Sequence, residues 1–251
     1  MTAPLLDLAS ARKRLVADMS GIVASTFAFG LVFGLSARAA GYSPLEAIAS
    51  SVLVFAGSAQ FAAAGLVAAG VGWPVIVVTT FFLNSRHLLY AAALRPSLAT
   101  RRSTERAAMA HVLTDEAFAL SMVHFRRLGR PDSRGYWLAA IGAVFIPWNV
   151  ATIVGVVGGS RVADPSALGL DVVFPAAMAG IAVALIVGRR ELVAVAAGIG
   201  VAVVVGLVGD PRIGILAGGL IGPLVGMAVP ATPIEAGRDA SGEPPIGDPM
   251  P

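Results

Sequence analysis

The chain has 251 residues, 57% of them apolar and 13% charged, with a mean hydropathy of +0.82 and a formal net charge of +3. Soluble domains average about 45–50% apolar and about 25% charged residues, so this composition excludes an ordinary soluble domain and points to a polytopic membrane protein. Cysteine is absent and Lys13 is the only lysine, which excludes disulfides, thiolate chemistry and a lysine-bearing phosphate loop.

The first apolar segment spans 20–37, behind the basic triplet Arg12, Lys13 and Arg14. Ala37-Arg38-Ala39 resembles a signal-peptidase site, but the segment is long for a signal core and further spans follow, so an uncleaved helix is expected. Seven more segments follow at about 45–69, 74–94, 109–124, 136–159, 171–188, 191–208 and 212–229. Most approach the ~20 residues that cross a ~30 Å hydrocarbon layer as helix. Nothing alternates as barrel strands do. Tyr42, Trp73 and the Tyr136-Trp137 pair stand at segment ends, where amphipathic rings favour the headgroup level. The predicted fold is all-α: about six to eight membrane segments, at least one of them broken or re-entrant. The domain reading is an N-terminal cytoplasmic segment over 1–19, a transmembrane transport domain over 20–229 and a flexible polar tail over 230–251, rich in Pro, Gly, Asp and Glu.

Positive charge sets the orientation. If 45–69 enters and leaves on one side and 109–124 does not cross, thirteen basic residues lie inside: Arg12, Lys13, Arg14, Arg95, Arg101, Arg102, Arg106, Arg126, Arg127, Arg130, Arg134, Arg189 and Arg190. Only Arg38, Arg161 and Arg212 then lie outside. If both segments cross, the division becomes nine against seven. The charge rule therefore favours a broken 45–69 hairpin, although 25 residues of helix would reach about 37 Å, enough for one span. In both arrangements the two termini are cytoplasmic. Short basic clusters between apolar spans suit this purpose better than a nucleic-acid face, and no nucleic-acid partner is expected.

Three polar islands interrupt the apolar segments. In the first, Gly57-Ser58-Ala59-Gln60 is a candidate helix break whose free amide groups suit a carboxylate; close helix packing is the competing use of such residues. The second is Asn84-Ser85-Arg86-His87 with Tyr90. Asn84 and His87 share one helical face with Thr80, and Arg86 and Tyr90 share another. An intramembrane arginine needs a partner or water unless it snorkels. In the third island, His111 and Asp115 are one turn apart and can pair, and Asp115-Glu116 invites a proton-coupled role. Thr114 or Asp115 can equally be a helix cap. Farther on, Pro147-Trp148-Asn149 is expected to kink a span, and Asp171 is a candidate cap.

In this order the islands resemble the AzlC family of branched-chain amino acid exporters. The resemblance rests on Gly41-Tyr-Ser-Pro-Leu-Glu-Ala, Val54-Phe-Ala-Gly-Ser-Ala-Gln-Phe61, Leu83-Asn-Ser-Arg-His-Leu-Leu-Tyr90, Leu113-Thr-Asp-Glu-Ala-Phe118 and, more weakly, Leu170-Asp-Val-Val-Phe-Pro175. It implies export of hydrophobic amino acids across the cytoplasmic membrane, together with a small AzlD-like membrane protein. No cofactor or metal is expected, and three scattered histidines do not form a metal site.

A zwitterionic substrate needs donors for its carboxylate, acceptors for its ammonium and an apolar wall. Gly57, Ser58, Gln60 and Asn84 are the candidate polar contacts, Phe55 and Phe61 the wall, and Arg86, His87, Asp115 and Glu116 the proton-coupling or ion-pair groups. Two other classes compete. One is a non-transporting scaffold subunit whose islands bind partner helices. The other is an intramembrane serine hydrolase with Ser58 as nucleophile and His87 or His111 as base, which lacks the G-x-S-x-G elbow.

Overall fold

The structure is a computed structural model that describes residues 5–99, 101–160 and 188–230, with single positions at 179, 183 and 186. The expected segment over 171–188, the motif over 170–175 with Asp171, and the tail beyond 230 lie outside the described residues or nearly so. The described residues are helical and contain no strand, as the apolar patterning predicts. The chain divides into two compact units, Met1–Ala177 and Met178–Pro251.

In the first unit, α1 (Leu8–Ala39) starts well before the apolar segment because the Asp7 carboxylate caps it, accepting from Ala9 N at 2.9 Å and Ser10 N at 3.0 Å. Gly41, at φ +94°, turns the chain into α2 (Pro44–Leu53). There Ser43 and Glu46 form a reciprocal capping box and Pro44 occupies the first helical position. The 45–69 segment is broken into two helices, the arrangement that the charge distribution favours. Val54 N and Phe55 N both donate to Ser50 O, at 2.9 and 3.3 Å, Phe55 adopts φ +42°, and α3 (Gly57–Ala68) begins afresh. The break lies at 54–56, not at Gly57–Gln60, which instead forms the first turn of the new helix.

The 74–94 segment is two helices, α4 (Trp73–Asn84) and α5 (Arg86–Leu98), meeting at Ser85. The 109–124 segment is likewise two short helices, α6 (Ser103–His111) and α7 (Asp115–Leu128). Thr114 caps α7, its hydroxyl accepting from Ala117 N at 3.2 Å. Gly129, at φ +69°, ends that helix. The short α8 (Ser133–Trp137) leads into a π-helical stretch, Leu138–Phe145, and α9 (Ile146–Ser160). The wide turn ends where Ile146 N reaches back to Ile141 O, one residue before Pro147, which has no N–H to give. The Asn149 amide expected inside the span bonds back to Phe145 O at 2.9 Å.

α1 packs along α9 at backbone distance. Ser51 Oγ on α2 donates to Thr152 Oγ1 on α9 at 3.1 Å. Phe33, Phe61 and Trp148 form the aromatic centre of this unit, with ring centroids 5.7 to 6.2 Å apart. Four helical stretches among the described residues are long and apolar enough to cross a membrane: Leu8–Ala39, Trp73–Leu98, Ser133–Gly159 and Arg189–Val208. Shorter apolar helices accompany them.

The second unit holds a hairpin of α10 (Arg189–Val208) and α11 (Pro211–Ala228). Gly214, Gly218, Gly222 and Gly226 recur every fourth residue along α11. A Cβ at Gly218 would overlap the Gly198 carbonyl oxygen and lie 2.9 Å from Ala202 Cβ. In lipid, where apolar association lacks a hydrophobic drive, such close backbone approach is what holds a helix pair. Gly218→Val is therefore expected to open the hairpin, seen as new protease sensitivity at 209–210; an unchanged digestion pattern would contradict this packing.

Candidate functional site

Three chain breaks supply the site. The α3 N-terminus has no side-chain cap at Ala56, so the amides of Gly57, Ser58 and Ala59 are left without intrahelical acceptors, while Gln60 N already reaches Ala56 O at 2.8 Å. Gly57 lies against Trp148: a Cβ there would sit 3.0 Å from Cη2 of the ring. Arg86, the first residue of α5, donates from Nη2 to Ser58 Oγ at 2.6 Å and pairs through Nη1 with Asp115 Oδ2 at 2.8 Å. Asp115 is the first residue of α7. The beginnings of α3, α5 and α7 thus meet through one guanidinium.

Beside them the Tyr90 ring stacks on Phe118 with centroids 4.8 Å apart, and Tyr90 neighbours Asp115. Polar atoms stay unsatisfied around this junction: Arg86 Nε, Asp115 Oδ1, Asn84 Oδ1, Gln60 Oε1 and Trp148 Nε1 are buried without hydrogen-bond partners. Gln60 is almost fully buried, and its Nε2 lies 3.5 Å from Ser50 Oγ.

The structure unites some candidates and separates others. Ser58, Arg86 and Asp115 form one chain of contacts. Asn84 and His87 meet locally, with His87 Nδ1 donating to Asn84 O at 2.9 Å; Thr80 hydrogen-bonds only within its own helix. His111 and Asp115 do not pair, because Val112–Thr114 breaks the helix between them; His111 Nε2 instead lies 2.9 Å from Val52 O. Among the described residues, Ser58 is hydrogen-bonded to Arg86 and not to His87 or His111. Glu116 is exposed. Phe55 and Phe61 are buried, Phe55 against Phe145 at 4.8 Å and Phe61 in the aromatic centre.

Sequence reasoning missed Trp148 against Gly57, Ser50 beside Gln60, and the Tyr90–Phe118 stack. It also missed a buried cluster at α8, where Arg12 and His124 converge on Asp132. Asp132 is separated from Arg12 by 120 positions, so no local spacing could have shown that pair.

An uncapped helix start beside an arginine, reached through a broken membrane segment, has the character of a transporter's polar site rather than of an enzyme's nucleophile. A family model described as AzlC protein matches residues 21–162. The chain is 31% identical over 144 residues to the inner membrane protein YgaZ of Escherichia coli (strain K12), a match covering 57% of this chain and 59% of that protein. It is 30% identical over 210 residues to an uncharacterized membrane protein of Archaeoglobus fulgidus, covering 81% of this chain and 89% of that one. A membrane protein of Helicobacter pylori (strain J99), also uncharacterized, is 29% identical over 100 residues. No solved structure matches the chain. The chain belongs to the AzlC family and is a membrane protein.

Proposed function

We propose that this protein exports hydrophobic amino acids, branched-chain ones foremost, across the cytoplasmic membrane. The observation that carries the reading is the uncapped α3 start with Arg86 bonded to Ser58. A helix N-terminus and a guanidinium both attract a carboxylate, and the Arg86–Ser58 bond brings the two together from separate segments. Tyr90 and Phe118 supply apolar surface beside it, and Gln60 and Asn84 add polar atoms without partners.

In this reading Asp115 accepts from the substrate ammonium, and His87, Asp115 or Glu116 carries the coupled proton. A small AzlD-like membrane protein acts with the chain. In this reading both termini are cytoplasmic, as the positive-inside rule favours whether or not 45–69 crosses.

The test is efflux of labelled valine, leucine and methionine from cells expressing the chain, with and without a small AzlD-like partner, at two external pH values. Efflux several-fold above cells lacking the chain, and sensitive to pH, is the expected outcome. Absence of efflux with the protein present in the membrane would overturn the reading. Efflux that ignores pH would remove only the proton coupling.

A further inference from the structure

Two arginine–aspartate pairs in this chain differ in how completely they are closed. Arg12 grips Asp132 as a fork, Nε to Oδ2 at 2.8 Å and Nη2 to Oδ1 at 2.7 Å, and His124 Nε2 donates to Oδ2 at 3.0 Å. Both carboxylate oxygens are engaged. Such bidentate geometry is what a structural ion pair requires to offset desolvation.

The Arg86–Asp115 pair is open. One bond at 2.8 Å joins Nη1 to Oδ2 and the Tyr90 hydroxyl lies beside the Asp115 carboxylate, while Asp115 Oδ1 and Arg86 Nε have no hydrogen-bond partner. Each charged group therefore keeps an unused, partner-seeking atom in a place where leaving it empty is costly. The two side chains nevertheless remain reachable, at 29% and 42% exposure.

Charge at this point is also unbalanced. The guanidinium is held by Ser58 at the uncapped α3 start, so a side-chain cation and the positive end of a helix coincide there. Asp115 is the carboxylate bonded to that cation, and the exposed Glu116 follows it on α7. Because Ser58, Arg86 and Asp115 all stand on the first turns of their helices, separating them moves helix ends rather than packed interiors.

We propose that Arg86 and Asp115 together occupy the empty substrate position as an internal stand-in for a zwitterion. An α-amino acid displaces the pair, giving its carboxylate to Arg86 and the α3 amides and its ammonium to Asp115. The proposal rests on the amino acid reading above and deepens it: recognition demands both charges on one molecule, because either charge alone breaks the pair and replaces only half of it. An apolar carboxylate would strand Asp115, and an apolar amine would strand Arg86.

The experiment is equilibrium binding to the full chain in lipid nanodiscs, with three probes: leucine, isocaproate (leucine without its ammonium) and isoamylamine (leucine without its carboxylate). Wild-type protein is expected to prefer leucine over either analogue by about tenfold, because the charge that each analogue strands is only partly buried. Asp115→Asn is expected to weaken leucine about tenfold or more and to tighten isocaproate about tenfold, since Arg86 has lost its internal competitor. Arg86→Gln is expected to do the converse for isoamylamine. Melting temperatures identify variants that merely misfold.

Leucine binding by folded wild type with no gain of isocaproate in folded Asp115→Asn and none of isoamylamine in folded Arg86→Gln overturns the stand-in and leaves the amino acid reading in place. Folded wild-type protein that binds none of the three overturns the amino acid reading and this proposal with it. Should Asp115→Asn fail to fold, the Arg86→Gln arm decides by itself.

Discussion

Gly34→Ala is expected to lower stability sharply, by about 3 kcal/mol or more, whereas Gly21→Ala on the same helix is expected to pass almost unnoticed. A Cβ at Gly34 would overlap the Thr152 carbonyl oxygen and come within 2.9 Å of Val156 N, both backbone atoms of α9. Backbone cannot rotate aside as a side chain can, so α1 and α9 would have to separate. Gly155, on the facing helix, is equally committed, its added Cβ lying 3.0 Å from Gly34 Cα.

Overpacking typically destabilises by about 1–3 kcal/mol, and a backbone clash at a helix crossing belongs at or above the top of that range. Against a total stability of about 5–15 kcal/mol, that is a large share. Gly21 has nothing within 4 Å of an added Cβ, and Ala is the better helix former, so the change is expected within about 1 kcal/mol of neutral. Thermal melting and monodisperse yield in detergent decide the comparison. Equal melting of the two variants would mean that α1 and α9 do not approach this closely.

Asp132→Ala is expected to destabilise by about 3 kcal/mol, with Asp132→Asn less damaging, because the fork to Arg12 is lost and His124 Nε2 loses its acceptor. His124 is fully buried and its Nδ1 already has no partner, so a further unsatisfied nitrogen falls in an apolar setting. Arg12 is 30% exposed and can recover some hydration, which keeps the figure at the low end for a broken buried pair.

The pH dependence has a definite sign. The Arg12 guanidinium, then the bonds from His124 and the Gly135 N–H, hold the Asp132 carboxyl well below the usual carboxylate range, against the opposing effect of burial. A carboxyl depressed on folding stabilises the native state above its unfolded pKa of about 4, and that contribution fades as pH falls through and below this value. The melting difference between wild type and Asp132→Asn is therefore expected to be constant from about pH 5 to 8 and to shrink below about pH 4. A difference that grew on acidification would contradict the pairing.

Much of the architecture was legible because membrane burial is a composition rule. Long apolar runs bounded by arginine clusters predict spanning helices, and four such stretches are present among the described residues. Charge favoured a broken 45–69 segment, because crossing by both 45–69 and 109–124 would put four more arginines outside, and the helix is interrupted there. Its location was not: composition pointed to Gly57–Gln60, whereas the chain breaks at Phe55. A phenylalanine at φ +42° is opposed by its own propensity and is held there by burial against Phe145. The His111–Asp115 pairing failed for a related reason. Spacing of four implies one face only while the helix continues, and Thr114 was read as an optional cap when it is the actual one.

The sequence by itself determined the solvent: apolar length and clustered arginine commit this chain to helices in a bilayer, since backbone polar groups in lipid must be satisfied within the segment. It also marked the chemically costly residues, Gln60, Arg86 and Asp115, because polar groups in apolar runs are expensive wherever they land. Only the tertiary structure decided their partners. Arg86 bonds Ser58 across 28 positions and pairs with Asp115 across another helix break, and Arg12 finds Asp132 across 120. Such partners depend on how the helices pack, and for α1 and α9 that is a matter of backbone approach at Gly30, Gly34 and Gly155, which no local periodicity shows.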